Sequence, residues 1–170
     1  SDSHTFVAKY PGELGNSLKV SICPSDNTQF AAWTYANSFD KAPDTSNYAS
    51  NRNAVDDEVH VVVVDHQGKF TGTKGTVLET YPFLSVASDA KNTDGTTNYA
   101  LNVINERSDY VALVGWDSDY QAAGAGTQVD SGDDFSLATP AVVEHDLEKG
   151  ANSQALGTSE FLSGYDLFED

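Results

Sequence analysis

Glu58-Val59-His60-Val61-Val62-Val63-Val64-Asp65 decides how the chain folds, because it is β-branched and apolar at nearly every position. Side chains alternate across a strand, so Val61 and Val63 point to one side and Val62 and Val64 to the other. A strand this apolar on both faces has to be covered on both. The turn His66-Gln67-Gly68-Lys69 follows it, and Thr76–Tyr81 alternates again. The two segments are therefore predicted to pair as an antiparallel hairpin.

Upstream, Thr5–Lys9 is strand-like, and the Pro11-Gly12 pair with Gly15 marks a turn. Ser17–Ile22 places Leu18, Val20 and Ile22 on one face, the pattern of a half-buried strand. Residues 24–57 are polar and rich in Asn, Asp and Ser apart from Phe30–Tyr35, and they end in Asp56-Asp57-Glu58. This composition predicts an irregular excursion with little core.

Downstream, the turn Asp94-Gly95 precedes Asn98–Arg107, which reads as a short helix ended by Ser108-Asp109. Tyr110–Val114 is a buried strand, Trp116–Asp134 is loop-like, and Phe135–Val143 is expected to hold a further strand. Thr158-Ser159-Glu160 resembles a helix cap, so Ser159–Glu169 should begin a helix presenting Phe161, Leu162, Tyr165 and Phe168 on one side. Strands come first, helices come late, and regular βαβ alternation is missing. The predicted class is α+β with a mainly antiparallel or mixed sheet, not a doubly wound fold.

A chain of 170 residues is long enough for one domain with a real core. Lys and Arg total 9 against 26 Asp and Glu, a formal charge of −17, so a phosphate backbone or an anionic membrane is repelled. Direct nucleic-acid binding is not expected. Cys23 is the single cysteine, which precludes an internal disulfide and fits a reducing cytoplasm. No apolar run approaches the roughly 20 residues needed to span a bilayer. There is no Met, and both ends look cut, which predicts an excised piece of a longer polypeptide.

The residues offer little chemistry. His4, His60, His66 and His145 lie at no metal-ligand spacing, and Cys23 has no Cys-x-x-Cys partner. His60 is expected to face solvent or to be hydrogen-bonded at a sheet edge. Asp117-Ser118-Asp119 and Asp130–Asp134 supply oxygen ligands of the kind Ca²⁺ takes, but the twelve-residue loop pattern ending in Glu is missing. Thr71-Gly72-Thr73-Lys74-Gly75 comes nearest to a phosphate loop, yet it lies between hairpin strands and not before a helix. Carboxylate pairs for glycoside chemistry occur in any acidic protein, and only geometry identifies a working one. No catalytic, cofactor-binding or metal-ligating residue is assigned, no cofactor is expected, and the chain is not read as an enzyme.

The most specific signal is Val7-Ala8-Lys9-Tyr10-Pro11-Gly12-Glu13-Leu14-Gly15-Asn16 followed by Ser17–Ile22. This stretch resembles the Tyr-Pro-Gly-x-Leu-Gly-(Asn/Asp) segment and succeeding strand of contractile bacteriophage tail sheath proteins of the T-even type. The order of strand, hairpin, strand, short helix and strand through residues 57–114 matches that family. Gly150–Asp170 resembles its glycine-rich crossing into the helix that opens the next domain. The resemblance implies a sheath middle domain over residues 1–157, a β-sandwich-like body with a few flanking helices. It places variable inserts at about 26–56 and 118–148, and makes 158–170 the start of a helix leading onward. It also implies a virion structural protein, assembled in the host cytoplasm. Its partners would be other sheath subunits, in hexameric rings, and the tail tube. Contraction would drive that tube into the host envelope for DNA ejection.

The alternative is a carbohydrate- or receptor-binding β domain of a phage or bacterial surface protein, with Trp33, Tyr35 and Trp116 as a stacking platform. Exposed aromatics along a groove would favour that reading, and buried ones the sheath. The isolated chain is expected to be a monomer, because its charge opposes self-association.

Overall fold

The computed structural model describes residues 6–152. Its centre is β3, Glu58–Asp65, in which all eight residues are buried. Antiparallel neighbours flank it, β2 (Leu18–Cys23) on one side and β4 (Thr76–Ser85) on the other, and β6 (Val143–Asp146) adds to β2. The four-stranded order is β4-β3-β2-β6. A second, two-stranded antiparallel sheet pairs β1 (Phe6–Ala8) with β5 (Val111–Leu113). With a few short helices, the class is α+β, and the two sheets contribute to one core in a sandwich-like arrangement.

The register Val20↔Val63 and Ile22↔Val61 puts Leu18, Val20, Ile22, Val59, Val61 and Val63 on one face. Against that face pack Phe6, Val111 and Leu113 of the small sheet, with Val103 and Ile104 of α3, Ala100–Arg107. The helix is short and its last carbonyls are capped by a cation. Lys9 Nζ donates to Ser108 O at 2.6 Å and to Asn105 O at 3.2 Å, a stabilising placement at a helix C-terminus. The Asn105 side chain donates to Leu113 O and accepts from Leu113 N, so α3 and β5 are tied as two strands would be.

The opposite face carries Val62, Val64 and Cys23, and here the expectations for residues 24–57 and for a half-buried Ser17–Ile22 are overturned. The supposed excursion folds into α1 (Asn27–Ala32), a 3₁₀ turn at Ala36–Ser38 and α2 (Asn47–Ser50). Trp33 becomes the cover of the second face at 5 % exposure. Its indole Nε1 donates to Ser21 Oγ at 2.9 Å, and it stacks on Phe39, which stacks in turn on His60 with ring centres 4.2 Å apart. Strand β2 is therefore covered on both sides. Ser21 reads as outward-facing in the alternation, but it is buried because it partners the indole.

Two more boundaries differ. The strand expected within Phe135–Val143 is instead β6, Val143–Asp146. Pairing with β2 selects it, and Pro140 without an N–H donor lies in the stretch that is passed over. The loop-like Trp116–Asp134 contains α4 (Ser118–Ala122) and sends Trp116, Tyr120, Ala125 and Val129 into the main core. Its backbone is also bonded inward, since Gly126 N donates to Val86 O and Ser88 N to Thr127 O. The helix expected at Ser159–Glu169 lies outside the described residues.

Three substitutions test this account by circular dichroism melting. Val62→Asp or Val63→Asp buries an unpaired charge, costs several kcal/mol (roughly 3 or more) and should abolish the cooperative transition. Trp33→Ala should cost about 3–5 kcal/mol, as expected when a large buried aromatic leaves a cavity. Deletion of residues 121–132 removes Ala125, Val129 and two inward backbone bonds. It should lower the melting temperature clearly, whereas a purely decorative loop could be removed without effect.

Candidate functional site

The histidines come first, as candidate bases or ligands. His60 is fully buried, on an interior strand and not at an edge facing solvent as expected. Its Nε2 lies 2.8 Å from Lys41 O, a carbonyl that can only accept, and its Nδ1 accepts from Phe83 N at 3.0 Å. Those partners fix one neutral tautomer, because a proton on Nδ1 would meet the Phe83 N–H. Burial is the main cause that depresses its pKa below the ordinary imidazole value. Phe83 itself has φ 54, a left-handed conformation held in part by this bond.

His145 sits opposite Val20 and so faces the main core, with its ring 5.6 Å from that of Phe6. Burial lowers its pKa, against an opposing pull from Asp117. Its Nε2 is buried without a hydrogen-bond partner among the described residues. His60 and His145 project from opposite faces of the sheet and cannot share a ligand. His66 is an exposed turn residue, and His4 lies outside the described residues. Cys23 is buried and its thiol is pushed up to about 12, chiefly by burial, which makes it an inert thiol.

The carboxylates most tightly held by the fold are ones that the sequence did not single out. Asp65 is fully buried and accepts from Ser17 Oγ at 2.6 Å, Phe70 N at 3.0 Å, Thr71 N at 2.8 Å and Thr71 Oγ1 at 2.9 Å. Burial pushes its pKa up, but these bonds outweigh burial and hold it below the usual range. Within Thr71–Gly75 the Thr71 N–H and hydroxyl close on the protein's own carboxylate, and Gly72 N, Thr73 N and Gly75 N donate to Gly68 O, Thr71 Oγ1 and Asp65 O, where a phosphate loop would leave such donors for a ligand. Asp57 accepts from Ser46 N, Ser46 Oγ and Ser85 Oγ, and Glu58 accepts from Asp44 N at 3.1 Å. Burial raises the Glu58 pKa. The signal that could have revealed these residues is a charged side chain bounding a very apolar strand, where it must be paired.

The acidic loops use their oxygens locally. Asp117 caps α4 by accepting from Asp119 N and Tyr120 N, Asp133 accepts from Asp130 N, and Asp134 accepts from Ser136 N. Among the described residues no group of three or more His, Cys, Asp or Glu comes together as a cation site. The proposed aromatic platform is not formed. Trp33 and Trp116 are 5 % and 4 % exposed and belong to separate clusters on opposite faces of the sheet, while Tyr35 is half-buried, edge-on to Trp33.

Among the described residues a groove of about 780 Å³ lies between β1 and β6, walled by Phe6, Val7, Asp117, Glu144, His145 and Glu148 among others. Its carboxylates disfavour anionic ligands. No helix among the described residues is long and apolar enough to cross a membrane.

The chain is 36 % identical over 77 residues to a tail sheath protein of Salmonella phage ViI. That match takes in 45 % of this chain and spans about a tenth of the relative's length. No family model matches. Over that stretch the chain is similar to a structural protein of a phage tail.

Two solution experiments follow from the buried groups. A histidine whose folded pKa is depressed contributes stability that is present above its unfolded pKa of about 6.5 and is lost as pH falls below it. His60 and His145 share that sign, so the melting temperature should fall on going from about pH 7.5 to about pH 5.5. His60→Gln should flatten the slope. A second loss should begin below about pH 4, where Asp65 takes up a proton in the unfolded chain before the folded one. Separately, adding EDTA or Ca²⁺ should leave the melting temperature unchanged; a drop of many degrees in EDTA would revive the Asp117–Asp134 loops as a cation site.

Proposed function

We propose that this chain is part of the contractile tail sheath of a bacteriophage of the T-even type, with a structural and not an enzymatic role. The observation that carries the reading is the 36 % identity over 77 residues with a phage tail sheath protein. It agrees with the Tyr10–Asn16 motif in the sequence. The described body supports the same reading. Its buried carboxylates, histidines and tryptophans are spent on internal bonds and packing, which makes a rigid unit suited to changing its neighbours without changing itself.

In this proposal residues 1–157 are a middle domain of the sheath subunit, and 158–170 lead into the next domain. The subunit's partners are further copies in hexameric rings and the tail tube they surround. The particle is its location, with assembly in the host cytoplasm. Its work is a switch between two packings of rigid domains that drives the tube through the host envelope for DNA ejection, with strain released and no bond made or broken. The acidic surface, formally −17, keeps such a body from adhering where it must slide. It also speaks against nucleic acid or an anionic membrane as a direct partner.

Negative-stain electron microscopy of the full-length parent protein is the test. Tubular sheaths are expected, and a parent that stays dispersed at concentrations where sheath proteins polymerise would overturn the reading. The 170-residue chain alone should scatter light as a monomer.

A further inference from the structure

The motif Pro11-Gly12-Glu13-Leu14-Gly15-Asn16 does more than turn the chain between β1 and β2. Its 3₁₀ stretch, Gly12–Ser17, lies against the backbone that leaves β6. The Asn16 side chain meets the Gly150 peptide unit twice, since Nδ2 donates to Gly150 O at 2.8 Å and Oδ1 accepts from Gly150 N at 2.7 Å. One residue pair, 134 positions apart in sequence, thereby reproduces the pairing of two strands. A third bond runs from Glu13 N to Asn152 Oδ1 at 3.0 Å.

The approach of the two backbones depends on missing side chains. A Cβ at Gly150 would lie 2.1 Å from Gly12 O, and a Cβ at Gly12 would lie 2.4 Å from Asn152 Oδ1. Gly12 also has φ +76, a conformation glycine adopts readily. Lys149 sits at φ 66, uncommon for a residue with a side chain and sustained only where neighbours hold it. The receiving side is itself anchored. The next residue, Ser17, donates to the buried Asp65, and Asn16 O accepts from Gln67 Nε2.

We infer that residues 12–16 form a latch that captures the backbone at 150–152 and holds it against the body. Ser17 and Asn16 O seat the latch on the end of the central sheet through Asp65 and Gln67. Opening it frees residues 150–152 without unfolding the core, because its three bonds are peripheral to both clusters. This device is a property of the chain itself and does not rest on the tail sheath reading.

Amide hydrogen exchange followed by NMR on the whole 170-residue chain tests the latch. In Asn16→Ala the Gly150 amide should exchange about tenfold faster, the loss expected for removing its hydrogen-bond partner, while the Val62 amide keeps its protection. Asn152→Ala, at an exposed side chain, should release only the Glu13 amide. Gly150→Ala should release both. Unchanged exchange at Gly150 in Asn16→Ala and at Glu13 in Asn152→Ala would overturn the proposal. So would loss of Val62 protection in Asn16→Ala, which would make Asn16 part of the global fold and not a local latch.

Discussion

Two-sided burial of β3 is the constraint to which the rest of the structure answers. A strand with valines on both faces gains roughly 1.5–3 kcal/mol for each side chain fully covered, but only if a layer lies on each side. The small sheet, α3 and the 116–137 segment cover one face, and Trp33 and Phe39, stacked onto the strand's own His60, cover the other. Residues 24–43 are polar in composition, yet Trp33 with the partly buried Phe30, Tyr35 and Phe39 supplies the second layer. Val62, Val64 and Cys23 are the buried apolar members of the face it covers.

Burying a strand with charged residues at both ends brings a second requirement. Glu58 and Asp65 bound β3, Asp57 precedes it, and each carboxylate needs donors in place of water. The donors come largely from turns and helix caps, Ser46 and Asp44 before α2 and Ser17, Phe70 and Thr71 around the hairpin, with Ser85 at the end of β4. These carboxylates organise loops around the ends of the sheet. The same economy explains why the chain looked poor in chemistry. Residue types that build active sites are present, but the hydrogen-bonding capacity of Asp57, Glu58, His60 and Asp65 is committed to the fold.

A body held in this way is stiff at its centre and open to adjustment at its margins. The β1 and β6 edges bound an acidic groove, and the exit from β6 is held by side-chain amides and paired glycines. Such joints can rearrange at small cost, whereas the valine core cannot.

The sequence by itself determined the elements whose signals are local. The valine run, the hairpin after it, the alternation of Leu18, Val20 and Ile22 and the short helix before Ser108 were all legible from residues adjacent in the chain. It also carried the Tyr10–Asn16 motif, which resembles a segment of tail sheath proteins. Only the tertiary structure decided what covers the second face of β3, which carboxylates are buried, and that Trp33 and Trp116 lie on opposite sides of a sheet. It alone showed that Asn16 receives Gly150. The physical reason is that each of these depends on partners far away in sequence. A tryptophan in a polar stretch reads the same whether it ends in water or against a strand, and only the packed chain says which donors reach a carboxylate.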